Sequence, residues 1–212
     1  MAACTNCGAE LETPLACGAC GKLLEPAREL TPFETLGLEP SFELDARELR
    51  RRLLRASRLV HPDFHGSSGA GEREAAERAS ARLNSAHELL ADPAARADWL
   101  VRTLGGPSES EQRQMPQAFL MEVLEWNETL DAAREAAPGS PERAALAGLA
   151  TNLREQREDV LAGLARLLVP LPPKGSPTLS RARAQLNALR YLATTLAQID
   201  ALALEQASPH EA

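Results

Sequence analysis

Asp45-Ala46-Arg47-Glu48-Leu49-Arg50-Arg51-Arg52-Leu53-Leu54-Arg55-Ala56-Ser57-Arg58-Leu59-Val60, followed at once by His61-Pro62-Asp63-Phe64-His65, is the stretch from which the fold can be read. Asp45 with Glu48 three residues later is an N-terminal helix signature. At roughly 100° per residue, Leu49, Leu53, Ala56 and Val60 share one face, and Arg47, Arg51, Arg55 and Arg58 gather on the opposite one. Six arginines stand against the single acid Glu48 between positions 47 and 58. This pattern predicts an amphipathic helix with a solvated arginine stripe, not a disordered tail. Pro62 disfavours helix at His61 and stops it there, leaving His61-Pro62-Asp63 exposed at a turn.

Working outward, the next periodic segment runs from about Glu72 to Leu90, with Ala76, Ala79, Leu83, Ala86 and Leu90 in line. With the Gly/Ser-rich tip His65–Gly69 between them, the two segments form an antiparallel hairpin. Asp92-Pro93 ends the second helix and starts a third, Ala94 to Leu104, which Gly105-Gly106-Pro107 closes. Upstream, Glu25–Pro32 reads as a linker and Phe33–Gly37 as a short turn; together these bound one domain at 31–106. Past an acidic, Ser-rich linker (Ser108–Gln114), helical patterns cover about Pro116–Ala136, Pro141–Leu168 and Thr178–Gln206. Pro138–Pro141 and Pro170–Pro173 separate them, and the simplest architecture is a three-helix bundle over 115–207. Leu146, Leu149, Leu153, Val160, Leu164 and Leu167 supply the expected core of the middle helix; Ala182, Leu186, Leu189 and Ala193 supply that of the last.

Composition agrees with an all-α fold. The 212 residues include 38 Ala and 35 Leu against 5 Val, 1 Ile and seven aromatics, the reverse of what a sheet needs. No uncharged apolar run approaches the roughly 18 residues of a membrane span, and Met1–Cys7 has no signal-peptide character. The chain is therefore expected to be soluble and cytoplasmic. A net charge of −7 argues against nucleic acid or an anionic membrane as partner.

All four cysteines lie within the first twenty residues, as Cys4-Thr-Asn-Cys7 and Cys17-Gly-Ala-Cys20, each pair followed by glycine. This paired spacing predicts four thiolates around one structural Zn²⁺ in a 1–25 segment too short to fold without metal. Two disulfides do not suit a chain with no export signal, and a redox dithiol needs one such pair in an α/β fold. Iron–sulfur ligation by the same thiolates stays open.

Several ordered motifs carry a resemblance. The basic helix, His61-Pro62-Asp63, Leu83-Asn84-Ser85-Ala86 and Asp92–Arg96 look like a J domain. Phe33–Leu38, His61–His65, Arg96–Leu100 and Phe119–Glu125 together resemble the HscB co-chaperones of iron–sulfur cluster assembly, over residues 31 to about 206. His87 and Trp126-Asn127 depart from that pattern. The resemblance implies a J domain that stimulates ATP hydrolysis by a DnaK/HscA-type chaperone and a bundle that presents an IscU-type scaffold. The tetracysteine segment is similar to an extension found in some members.

The residues suit two partners. His61, Pro62 and Asp63 with Arg47, Arg51, Arg55 and Arg58 would steer onto an acidic ATPase surface. Along Phe119–Ala133, the residues Phe119, Val123, Trp126, Leu130 and Ala133 should enter the core. Leu120, Met121, Leu124, Glu125 and Glu128 lie on the far side. That second face is either a surface for the scaffold, as the resemblance implies, or a helix buried between domains. Arg190 and Tyr191, off the apolar face of the last helix, would complete it. A homo-oligomer is compatible with the pattern. No catalytic constellation is expected. The competing classes are a general J-domain co-chaperone for other clients, a small metallohydrolase using His61, Asp63 and His65, and a zinc-ribbon nucleic-acid binder.

Overall fold

A computed structural model describes residues 3–65, 70–137 and 139–207. The described residues contain eight helices and no strand beyond isolated bridges: α1 Pro32–Thr35, α2 Ala46–Val60, α3 Pro62–His65, α4 Ala70–Ala91, α5 Pro93–Thr103, α6 Gln117–Glu135, α7 Pro141–Leu168 and α8 Thr178–Ala207. Among them no helix is long and apolar enough to cross a membrane. The fold is all-α as expected, and the chain divides into two compact units, Met1–Arg96 and Ala97–Ala212.

In the first unit, local chemistry sets each helix. Thr31 accepts a hydrogen bond from the Glu34 amide, and the Glu34 carboxylate accepts one from the Thr31 amide, so a reciprocal box opens α1. Arg28 pairs with Glu34 and, with the Thr31 amide, holds its carboxyl down at about 2. Asp45 caps α2 through the Arg47 amide at 2.9 Å. Leu49, Ala56 and Val60 are buried against α4 as expected, while Leu53 is only half-buried. The line Ala76, Ala79, Leu83, Ala86 and Leu90 of α4 is buried throughout. Pro62 ends α2, but the chain then re-enters one helical turn, α3, instead of an open loop. The expected tip at residues 66–69 lies outside the described residues.

The N-terminal segment packs on the hairpin. Isolated antiparallel bridges, Ala3 with Glu10 and Ala16 with both Thr13 and Leu23, hold it together. Leu15, Ala16 and Cys17 are buried. The Thr13 hydroxyl donates to the Thr35 carbonyl (3.1 Å) in a buried bond. Gly37, at φ +64°, lies where an added Cβ would collide with the Glu12 carbonyl oxygen. Positive φ and this close approach both require glycine there.

In the second unit α6, α7 and α8 pack pairwise as a three-helix bundle. Trp126, Leu130 and Ala133 are buried as expected, but Phe119 and Val123 are half-buried. On α7 the fully buried residue near the C-terminus is Leu168, not Leu167, and Leu149 and Val160 are half-buried. On α8 Ala193 is exposed and Leu192 is buried in its place. The segment expected as a linker, Ser108–Gln114, is fastened with the preceding Pro107 along α8. Arg183 Nε donates to the Pro107 carbonyl (2.8 Å), Asn187 Nδ2 to Gln112 O (2.7 Å) and Gln112 Nε2 to Ser180 O (2.8 Å). Gly106 is pressed against Val101 and Leu179 so closely that a Cβ would sit 2.6 Å from Val101 Cγ1.

Candidate functional site

The candidate metal centre is built by two repeats of one turn. Cys4 N–H bonds Ala9 O and Gly8 N–H bonds Cys4 O; Cys17 N–H bonds Lys22 O and Gly21 N–H bonds Cys17 O, at 2.8–3.0 Å. Gly8 and Gly21 take φ of +75° and +70° to close these turns. All four Sγ atoms lie within 4.8 Å of one another. Cys4 and Cys20 approach to 3.8 Å and Cys7 and Cys17 to 3.6 Å. Tetrahedral zinc with bonds of about 2.3 Å gives sulfur–sulfur edges of about 3.8 Å, so the thiols fit such an ion; a disulfide needs about 2.05 Å.

Electrostatics agree. The Asn6 side chain and the Lys22 amide bring Cys20 down to about 6, and the amides of Asn6 and Cys7 lower Cys4. Cys7 receives the Ala9 amide, yet the crowding thiols of Cys17 and Cys20 push it up to about 12. Four adjacent thiolates need a cation to coexist. The cluster can hold a metal ion.

On the hairpin, His61 and Asp63 are exposed and Pro62 is half-buried. The Asp63 amide donates to His61 Nδ1 at 3.2 Å. The four cysteines are the only cluster of three or more His, Cys, Asp or Glu ligands among the described residues, so His61 and Asp63 gather no third ligand there. The His65 side chain lies outside the described residues.

The arginine stripe is not uniformly free. Arg51 and Arg52 both pair with Glu48, Arg52 also bonds the Gly37 carbonyl, and Arg55 NH1 lies 3.0 Å from Glu12 Oε2. Arg47, Arg50 and Arg58 make no ion pair among the described residues. A groove of about 730 Å³ runs beside α2, lined by Arg47, Arg50, Leu53, Leu54, His87 and Pro93 among others. Leu54 is 52 % exposed. Arg50 and Leu54, which line this groove, are not among the residues that the sequence singles out. Their signal was the spacing 47, 50, 54 along one edge of the helix.

In the bundle, Leu120, Met121 and Leu124 are 46 %, 53 % and 52 % exposed, with Glu125 and Glu128 exposed beside them. Tyr191 is half-buried and meets the Phe119 ring edge-on at 5.8 Å; Phe119 meets Trp126 at 5.6 Å. The residue before Leu120 thus joins the apolar face of α6 to α8. The Arg190 guanidinium lies 5.9 Å from the Tyr191 ring centroid and pairs with Glu109. Glu109, Arg113, Asn187, Arg190 and Tyr191 surround a polar hollow of about 350 Å³.

Residues 115–200 match the family model described as the HSCB C-terminal oligomerisation domain. The co-chaperone protein HscB homolog of Bordetella avium is 36 % identical over 137 residues, 64 % of this chain and 78 % of that protein. The chain belongs to the HscB co-chaperone family. The HscB homolog of Neisseria meningitidis is 30 % identical over 133 residues, covering 62 % of this chain and 78 % of its own length. In fold, human co-chaperone HscB superposes with a TM-score of 0.73 at 24 % identity, covering 97 % of this chain and 98 % of the human one. HscB from Vibrio cholerae gives 0.66 at 24 %, covering 84 % and 99 %.

Proposed function

We propose that this chain is a cytoplasmic co-chaperone of iron–sulfur cluster assembly, and not an enzyme. Residues 31–106 act as a J domain that stimulates a DnaK/HscA-type ATPase. Residues 115–207 hold an IscU-type scaffold, and Cys4, Cys7, Cys17 and Cys20 of the 1–25 segment bind one structural Zn²⁺.

The observation that carries this reading is the presence of two exposed surfaces of different chemistry on two separate units. The first is cationic: Arg47, Arg50 and Arg58, which make no ion pair among the described residues, are spread along α2, the helix that ends at His61-Pro62-Asp63. Such a surface gives fast, salt-sensitive association with an acidic partner. The second is apolar and rimmed by acids, with Leu120, Met121 and Leu124 about half exposed. Such a patch binds by desolvation. A delivery factor needs both: one to hold a client, one to meet the ATPase.

A steady-state ATPase assay with a DnaK-type chaperone and an IscU-type scaffold tests it. The protein should stimulate turnover, further with scaffold present, and His61→Gln should abolish the effect while the fold is kept. Equal stimulation by wild type and His61→Gln, or none by wild type, would sink the proposal. The family description of residues 115–200 as an oligomerisation domain favours a second use of the α6 face, association between copies. Sedimentation of the chain alone, with and without Leu120→Ala, decides that.

A further inference from the structure

Between its two cysteine pairs the N-terminal segment carries the loop Glu10–Ala16, and this loop lies against the hairpin. Glu12 reaches Arg55 of α2 at 3.0 Å, and its carbonyl closes against Gly37. Thr13, itself buried, bonds the last residue of α1. Gly18, between Cys17 and Cys20, approaches Leu59 of α2, and Glu25 lies 3.2 Å from Arg78 of α4. Three helices of the first unit, α1, α2 and α4, are therefore contacted by a segment that owes its shape to its cysteines. Two of those cysteines, Cys4 and Cys17, are buried.

A four-residue helix such as α1 has almost no stability of its own; packing must supply it. The amides of Leu36 and Leu38 bond the Phe33 carbonyl and that of Gly37 bonds the Glu34 carbonyl, so α1 and the turn after it form one small hydrogen-bonded unit. That unit packs on α4 and takes the buried Thr13 bond at the last residue of α1. Ligation of the cysteines fixes Thr13 and Glu12 in place, because metal binding and folding are one equilibrium in a segment this small.

We propose that the tetracysteine segment confers a further function, metal-responsive control. Loading the cysteines braces α1 and the C-terminal half of α2, and losing the metal loosens this part of the first unit. This inference rests on the proposed co-chaperone reading only for its consequence, a metal-dependent stimulation of the ATPase. The bracing itself is independent of any partner. Linkage makes it reciprocal: whatever factor metal adds to the protection of α1, the docked hairpin adds to metal affinity.

Hydrogen exchange on the full chain, zinc-loaded and after chelation, tests the brace. The Leu36, Gly37 and Leu38 amides should exchange about tenfold faster without metal, while Leu153, Leu164 and Leu192 in α7 and α8 keep their rates. Thr13→Val keeps every cysteine and should keep one zinc per chain. It should speed the same three amides several-fold and weaken zinc retention against a competing chelator by a similar factor. Unchanged exchange at residues 36–38 once zinc is gone would overturn the proposal. So would an equal acceleration in α7 and α8, or a Thr13→Val protein with wild-type exchange and wild-type zinc affinity. If the brace is found but chelation leaves ATPase stimulation intact, the control function fails and the co-chaperone reading stands. If no stimulation is seen in any form, it is the co-chaperone reading that fails.

Discussion

Truncating Leu120 and Leu124 together to Ala separates a docking face from a structural one. Fully burying a Leu side chain contributes about 1.5–3 kcal/mol. Leu120 and Leu124 are 46 % and 52 % exposed, so a partner can cover only about half of each, worth about 1 kcal/mol apiece. Two such losses make about 2 kcal/mol, or roughly thirtyfold in affinity for an IscU-type scaffold. The buried halves put the cost to the fold at about 2 kcal/mol in all by the same arithmetic, at the lower end of the roughly 2–5 kcal/mol of a single fully buried Leu. Leu130→Ala, at a fully buried position on the same helix, is the matched control, and its damage should appear in the melt. Titration calorimetry with scaffold and thermal denaturation of the three proteins give both numbers. ATPase stimulation without scaffold should persist in the double variant. The reasoning fails if the double variant binds scaffold normally, or if it unfolds as Leu130→Ala does.

Arg183 is buried and sits 2.6 Å from Asp98 Oδ1 in an ionic contact whose NH2 group makes no directed hydrogen bond. Arg183→Met should cost about 2 kcal/mol by urea denaturation, mainly through the Pro107 bond and the loss of Asp98's partner. Glu34, held at about 2 against an ordinary 4.5, stabilises the fold fully above pH 4.5 and loses that contribution as pH falls towards 2. Its pair with Arg28 is exposed, so the effect stays under about 1 kcal/mol; Glu34→Gln should flatten this part of the acid melting profile. Glu109→Gln releases Arg190, and on the proposed reading scaffold binding at low salt should tighten about two- to fivefold, a gain that calorimetry at high salt should show vanishing.

Periodicity exposed most of the fold, because each helix of the hairpin buries one regular line: every apolar residue placed on α4 is buried. It was less faithful on α7 and α8. These run for 28 and 30 residues, and small phase drift over such lengths moves burial by one position, from Leu167 to Leu168 and from Ala193 to Leu192. Arg183 and Asn187 look like surface residues in the sequence, and only the carbonyls of a segment about 75 residues away show why they are buried. A separation of 43 residues likewise hides Glu12 from Arg55. Charge counting along α2 treated all its arginines alike, whereas Glu12 and Glu48 engage three of them and leave others open. The cysteine cluster was legible because ligand spacing is a local property, and the α6 face because its two apolar lines have separate phases.

The edge-to-face run of Trp126, Phe119 and Tyr191 also gives the molecule an optical reporter. Trp126 is buried next to the ring that carries Tyr191, so its indole should emit at short wavelength, whereas the half-buried Trp99 should emit further to the red. Leu120 and Leu124 belong to the same helix as Phe119 and Trp126, so a molecule settling on them loads the element that carries the stack. Binding on that face should therefore register in the intrinsic fluorescence of one indole, with no label attached to the surface being measured.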